Sequence, residues 1–227
     1  MCGRFVQKAN LEVLVAMFGI DGGQRPNMPA RYNIAPTQAA LVVRFNPQTG
    51  RRQIDPLSFG LVPLWAKDKT RAAAMMNARG ESLHEKPTFR EAFAERRCLI
   101  PADAFYEWKG EGRGKQPYAV RPCAPDGLFA FAGIWDRWRD PATREIHRSF
   151  AIVTTAANSL LAPLHERMPV ILPAESWPLW LGEQPGDPQG LIRSYPADLM
   201  HAYPVDVAVG NVANDDAALL DEQRLLA

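Results

Sequence analysis

Apolar residues recur along this chain with two different periods. Near the start, Leu11, Leu14, Val15 and Phe18 fall at the spacing of one helical face, with Asn10 placed to cap the helix and Gly19 to end it. The stretch from Asp21 to Pro29 is rich in glycine and proline and reads as a loop. Arg31-Tyr32-Asn33-Ile34-Ala35-Pro36-Thr37 is irregular and mixed in polarity. From Ala40 to Phe45 the apolar residues run together as in a buried strand. A turn at Asn46-Pro47-Gln48-Thr49-Gly50 then leads to a second strand near Arg52 to Phe59, which predicts a hairpin.

Phe59-Gly60-Leu61-Val62-Pro63-Leu64-Trp65 carries large apolar residues, but its Gly and Pro argue against a helix. Such a loop is either folded inward, the commoner case, or exposed for a purpose. Ala74-Met75-Met76-Asn77-Ala78-Arg79-Gly80-Glu81-Ser82 reads as a strand running into a polar loop. Thr88 with Glu91 spells a capping box for a helix that carries Phe89 and Phe93 on one face and ends at Arg96-Arg97. The centre is strand-rich: Cys98 to Pro101, Ala104 to Lys109, Tyr118 to Arg121, Leu128 to Trp135 and Phe150 to Thr155. Leu160 to Leu164 suggests a helical turn, and a short helix around Ala174 to Leu181 is weakened by Pro178. Ser194 to Val209 holds at most one more strand, and Gly210 to Asn214 is a loop. No repeat or linker interrupts the pattern. It predicts an α+β fold: one strand-rich domain over residues 1–227, mainly antiparallel, with a barrel-like sheet and peripheral helices.

Composition narrows the class without fixing a function. At 227 residues, 47% hydrophobic and 22% charged, the chain suits an ordinary soluble globular protein with a sizeable core. Three cysteines, at 2, 98 and 123, are an odd number and match no zinc ligand spacing. They argue for a reducing, cytoplasmic compartment, and Cys98 and Cys123 both read as core residues. No apolar run approaches the ~20 residues of a membrane span, and the N-terminus lacks the regions of a signal peptide. Net charge is +1, so a nucleic-acid partner would have to be held by a local basic surface. No metal or cofactor is expected, and a monomer is.

Chemistry enters at the second residue. In Met1-Cys2-Gly3-Arg4-Phe5, a residue as small as cysteine normally permits removal of the initiator methionine. Cys2 would then carry a free α-amine beside its thiol. Reference pKa values of about 7.7–8.0 and about 8.5 leave both groups some reactive form near neutrality. Such a terminus can attack an acyl carbon as a nucleophile. It can also condense with an aldehyde to an imine, which the thiol closes into a thiazolidine ring. The plain alternative is a buried small hydrophobe.

A reactive Cys2 needs partners that handle protons. His165, one of four histidines, precedes an apolar stretch as an end-of-strand site residue would, although a lone histidine is more often structural or solvated. Glu107 sits in Phe105-Tyr106-Glu107-Trp108. If it faces inward, desolvation raises its pKa and suits it to donate and accept protons near neutrality; if outward, it is solvated, and the pattern leaves both open. Asn77 and Arg79, two apart on a strand, project to one side, where an amide can bond a substrate hydroxyl and a guanidinium can grip a phosphate. Arg4 could serve the same anion. Taken singly, each arginine reads as a surface charge.

Together these segments resemble the SRAP family, the SOS-response-associated peptidase-like proteins. The resemblance rests on Met-Cys-Gly-Arg-Phe at the start, Arg31-Tyr32-Asn33-Ile34-Ala35-Pro36, Asn77-Ala78-Arg79-Gly80-Glu81, Phe105-Tyr106-Glu107-Trp108, His165-Glu166-Arg167-Met168-Pro169 and Val209-Gly210-Asn211. They occur in family order and span almost the whole chain, as in the short bacterial members. The resemblance implies an abasic-site shield that binds single-stranded DNA and junctions and cross-links to the ring-opened deoxyribose through Cys2 as a thiazolidine. It implies that Asn77 holds the adduct, that His165 assists sugar ring opening and that Glu107 shuttles protons. By the same analogy Arg4, Arg79 and Arg167 hold phosphates, Thr154 lies near the site, Pro36 lies near the lesion, and the loop at Pro63-Leu64-Trp65 wedges against bases. Where some relatives carry two adjacent aromatics, this loop reads Leu64-Trp65. A thiol autopeptidase or amidase using Cys2 and His165, as the family's name suggests, is the alternative, and the catalytic residues alone do not separate the two.

Overall fold

The computed structural model describes residues 2–110, 114–125 and 127–224. Its elements begin with β1 (Phe5–Gln7), α1 (Leu11–Phe18), β2 (Arg31–Ile34), β3 (Ala39–Asn46) and β4 (Arg51–Phe59). Next come β5 (Asn77–Arg79), α2 (Pro87–Glu95), β6 (Arg97–Ala102), β7 (Ala104–Lys109) and β8 (Gln116–Pro122). The chain continues through β9 (Phe129–Arg139), β10 (Ile146–Ala156), β11 (Arg167–Pro169), α3 (Trp177–Leu181) and β12 (Met200–Pro204). The fold is α+β and strand-rich.

One sheet runs β12-β8-β7-β1-β2, and every pairing in it is antiparallel. The other runs β4-β3-β6-β9-β10, and β10 returns to β4, where Ser149 and Phe150 pair in parallel with Ser58 and Phe59. Those five strands therefore close a barrel. Past those pairings, the end of β10 takes β5 in parallel on one side and β11 antiparallel on the other, so it gathers two short motif segments.

Closure explains why the central strands read as continuous apolar runs rather than alternations: both of their faces are covered. Leu41, Val43, Leu99, Ile134, Ala151 and Val153 point outward into a cluster roofed by the helices, with Phe18 stacked on Trp177 at 4.5 Å. Their neighbours Val42, Ile100, Phe131, Phe150 and Ile152 point inward and join Phe5, Ile34, Phe105 and Val120 of the five-stranded sheet. Cys2 belongs to this second cluster.

Local signals fared unevenly. The Asn10 side chain accepts from Val13 N–H at 2.9 Å, and Gly19 ends α1 at φ 60°, as the sequence predicts. The Thr88–Glu91 capping box is not made. Pro87, with φ already fixed and no N–H to satisfy, takes the first helical position and draws Thr88 inside the first turn. Of the segment from Ala74 to Ser82 only β5 is strand; short 3-10 turns, Ala73–Met75 and Gly80–Ser82, flank it. Pro178 is tolerated because it stands in the first turn of α3. Arg31 to Ile34, too irregular to assign from sequence, is β2. Cys98 is fully buried, but Cys123 is exposed at the edge of β8 and does not belong to the core. Among the described residues no helix is long and apolar enough to cross a membrane.

Candidate active site and nucleic-acid interface

The N-terminal segment is held on both sides before it reaches Cys2. Phe5 and Val6 pair with Phe105 and Ala104, and Tyr106 N–H donates to the Arg4 carbonyl at 3.0 Å. The buried Gln7 amide donates to the carbonyls of Leu41 and Pro101, both at 2.8 Å, and accepts from Leu41 N–H at 2.9 Å. Arg4 donates to Asn33 Oδ1 and to the carbonyls of Val209 and Gly210. Cys2 is thereby seated, fully buried, on the inner apolar cluster.

Two groups from different elements meet it there. Asn77, on β5 and in register with Ile152 of β10, donates from Nδ2 to the Cys2 carbonyl at 3.2 Å. Its Oδ1 is buried and has no hydrogen-bond partner among the described residues, which leaves an acceptor directed into the site. Glu107 lies on β7 and is 3% exposed. Alternation decides its direction: Phe105 and Glu107 face the cluster that holds Cys2, while Ala104 and Tyr106 face a third cluster with Val6 and Val209. Desolvation lifts the Glu107 carboxyl above its ordinary range. Burial also drives the Cys2 thiol far upward, and the charge of Glu107 pushes it further. Burial thus favours the protonated thiol, and Glu107 lies near enough for its charge to act on it.

His165 follows a helical turn in which its N–H donates to the Leu161 carbonyl at 2.9 Å, and Leu161 lies in the Cys2 cluster. Its Nδ1 accepts from Arg167 N–H at 2.9 Å, which assigns the neutral ring's proton to Nε2. Partial burial lowers its pKa, so it is a neutral donor at pH 7.

Charge collects where β5, β10 and β11 meet. Arg79 is exposed on β5, level with Thr154, and Thr154 is level with Pro169. Arg167 grips Glu81 with both terminal nitrogens at 2.7 and 2.8 Å, and donates to the Thr154 carbonyl at 2.7 Å. That fork holds Glu81 below the usual carboxylate range. Of the three arginines assigned to phosphate, Arg79 makes no side-chain hydrogen bond or ion pair among the described residues, whereas Arg4 and Arg167 already have protein partners. The loop after β4 divides the two readings of its apolar residues. Phe59, Leu61 and Val62 are buried, whereas Leu64 is 40% and Trp65 64% exposed. Pro36 is half-buried in the neighbouring turn, where Thr37 N–H donates to the Phe59 carbonyl at 2.7 Å. A pocket of about 180 Å³, open to solvent, is lined by Val62, Trp65 and Met75 and does not include Cys2.

Sequence reasoning gave no role to two residues that hold the site. Asn33, fully buried, donates to the carbonyls of Val209, Asn211 and Asn214, and Asp215 accepts from the N–H groups of Tyr32 and Asn33 and pairs with Arg31. The Arg31-Tyr32-Asn33 and Val209-Gly210-Asn211 segments are one clasp, and their common polar composition was the available signal. Gly80 also has a physical reason: a Cβ there would lie 2.3 Å from Ile192 Cγ2. Among the described residues, no three His, Cys, Asp or Glu side chains group as a metal site would require.

Known proteins resemble this chain over most of its length. Residues 1–212 match the family described as SOS response associated peptidase (SRAP). Abasic site processing protein YoqW of Bacillus subtilis is 38% identical over 97% of this chain and 99% of its own length. Abasic site processing protein YedK of Escherichia coli is 31% identical over the same shares. Among solved structures, a protein from Bacteroides thetaiotaomicron superposes with a TM-score of 0.85 at 26% identity, covering 98% of this chain and all of its own.

Proposed function

The chain belongs to the SOS response associated peptidase family, and on that footing we propose that it processes abasic sites in DNA by covalent capture through Cys2. With Met1 removed, the Cys2 α-amine attacks the C1′ aldehyde of the ring-opened deoxyribose. The resulting carbinolamine loses its hydroxyl as water to give an imine. Cys2 Sγ then adds to the imine carbon, the C=N electron pair moves to nitrogen, and nitrogen takes the thiol proton. The product is a thiazolidine, formed with net loss of one water.

Each site group has one job in this sequence. Glu107 protonates the departing hydroxyl and relays the thiol proton; its raised pKa and its place beside a protonated thiol suit both tasks. Asn77 fixes the Cys2 carbonyl and offers Oδ1 to the amine or a sugar hydroxyl. His165, neutral with its proton on Nε2, donates to the ring oxygen as the closed sugar opens. Arg79 holds a flanking phosphate, Arg167 takes another as Glu81 yields, and Pro36 borders the strand; Thr154, only 1% exposed, serves instead by holding Arg167 through its carbonyl. Arg4 contributes chiefly by holding the N-terminal segment in place. Leu64 and Trp65, exposed on a backbone fixed by Leu61 and Val62, wedge against bases, and stacking of this kind accepts any base. The observation that carries the proposal is a fully buried Cys2 whose carbonyl is held by Asn77 and whose thiol feels the charge of the buried Glu107. Self-removal of Met1 would use the same groups and precede capture.

Intact mass spectrometry tests it. Processed protein incubated with a single-stranded oligonucleotide holding one abasic site should gain the oligonucleotide mass less one water. Cys2→Ala should gain nothing while keeping salt-sensitive binding. An adduct on Cys2→Ala, or none on the processed wild type, overturns the mechanism.

A further inference from the structure

The barrel has a second end. Along β9 Trp135 and Arg137 continue the inner face of Phe131 toward this end, and along β10 Arg148 continues that of Phe150. Arg137 and Arg148 are directly paired across the two strands, and both are exposed. Like charges placed opposite one another in an antiparallel pair are destabilising. No ion pair relieves them: among the described residues neither these two nor Arg139 lies within 4.0 Å of a carboxylate oxygen. Among the described residues the Arg139 side chain donates to the Arg144 carbonyl alone, at 3.4 Å. Beneath them Trp135 is covered by the Arg44 guanidinium at 4.2 Å, whose charge Asp55 balances, so the floor of this mouth is aromatic and the free charge lies in the arginines above it. A mouth of about 380 Å³ holds Trp135, Arg137 and Arg148. A second hollow of about 320 Å³, sharing Arg137, runs from it to Leu64 of the wedge loop by way of Arg139 and Ile146. Unrelieved positive charge thus continues from the wedge to the barrel end opposite Cys2.

We infer that Arg137, Arg139 and Arg148 form a second phosphate-binding track, which receives the nucleic-acid backbone after it has passed the wedge loop. The inference extends the DNA reading above and assigns these arginines no part in the covalent step. Geometry sets its reach. Six positions separate Thr154 from Arg148 on one strand, which is about 20 Å and so about six nucleotides of duplex flank, and fewer of a stretched single strand. Duplex flanks shorter than that cannot touch the track. Its occupant is a phosphodiester backbone, either a single-stranded tail or one strand of a duplex flank.

The test is salt-dependent binding of Arg137→Gln/Arg148→Gln and wild type to lesion-free DNA, with flanks shorter and longer than that reach on each side. Single-stranded and duplex flanks form separate arms. Removing two phosphate contacts should lower the salt slope by about 1.8, so between about 50 and 200 mM salt the wild type loses about tenfold more affinity than the variant. Thermal melting checks folding, and loss of the like-charge pair should leave Tm unchanged or raised. A slope change confined to long single-stranded or long duplex flanks supports the track and names its source. Equal slopes for the two proteins, or a difference that persists with short flanks, overturns it. Adduct formation on a short abasic strand, read by mass, is the separate control. Its failure would sink the covalent reading while leaving the slope result to decide this one.

Discussion

Glu107→Gln separates a proton-transfer role from a structural one. The carboxyl is 3% exposed, and burial raises it above its ordinary value of 4.5. Glutamine keeps the shape but can neither protonate a departing hydroxyl nor accept a thiol proton. A positioned general acid–base is worth about 10²–10⁴ in rate, so adduct formation should slow by at least about a hundredfold, or about 3 kcal/mol of barrier. A second signature comes from Cys2. Burial and the Glu107 charge both raise its thiol, so removing the charge should bring the thiol titration to lower pH even as capture slows. A third concerns stability. A raised carboxyl pKa means that the folded chain binds the proton more tightly than the unfolded chain. The wild type therefore loses stability as pH rises from 4.5 through the higher folded value, and the variant does not. The assays are single-turnover adduct kinetics by mass, thiol alkylation against pH, and melting across that window, all on protein lacking Met1. Adduct formation near the wild-type rate, or a thiol that titrates higher in the variant, would refute the reasoning.

Other expectations follow from single residues. Trp65→Ala removes a side chain that is 64% exposed, so Tm should hold while lesion-free single-strand binding weakens by about 1–3 kcal/mol, read by fluorescence anisotropy; a lower Tm with unchanged binding would make the loop structural. Gly60→Ala forces a Cβ to 2.4 Å from the Ala72 carbonyl oxygen at φ 112°. Calorimetry should find about 3 kcal/mol lost, a Tm drop of about 6–12 °C, and an unchanged Tm would mean that the Ala72 backbone gives way easily. His165 has a folded pKa below its ordinary 6.5, so charging it is harder in the folded chain. Its contribution to stability is present above pH 6.5 and is lost as pH falls through the lower folded value. His165→Gln should flatten that part of the stability profile, and an unaltered profile would show the ring to be in water in both states.

Much of the candidate site was legible because its signals are local. A cysteine after the initiator defines its own chemistry, and Asn77 and Arg79 share a side by strand alternation whichever fold contains them. Asn10 and Gly19 act on their own helix ends, and α1 begins and ends where they stand. Glu107 was different. Its alternating pattern allowed two faces, and both proved to be buried; only the packing of Val6 and Val209 on one side and of Cys2 on the other decides which face makes it reactive. Arg4 and Arg167 look alike in sequence to Arg79. What separates them is which acceptors the fold brings near: the Val209 and Gly210 carbonyls for one and Glu81 for another, each distant in sequence.

By itself, then, the sequence determined the strand-rich α+β class, the positions of most barrel strands and the place of a cysteine directly after the initiator. These depend on propensity, periodicity and the chemistry of single residues, which act over a few neighbours. The tertiary structure alone decided the parallel return of β10 to β4 that closes the barrel. It also decided the exposure of Cys123, the splitting of the Phe59–Trp65 loop into a buried half and an exposed half, and the unrelieved pairing of Arg137 with Arg148. Each of those follows from register and burial between segments far apart in the chain, and no local pattern encodes the distance between them.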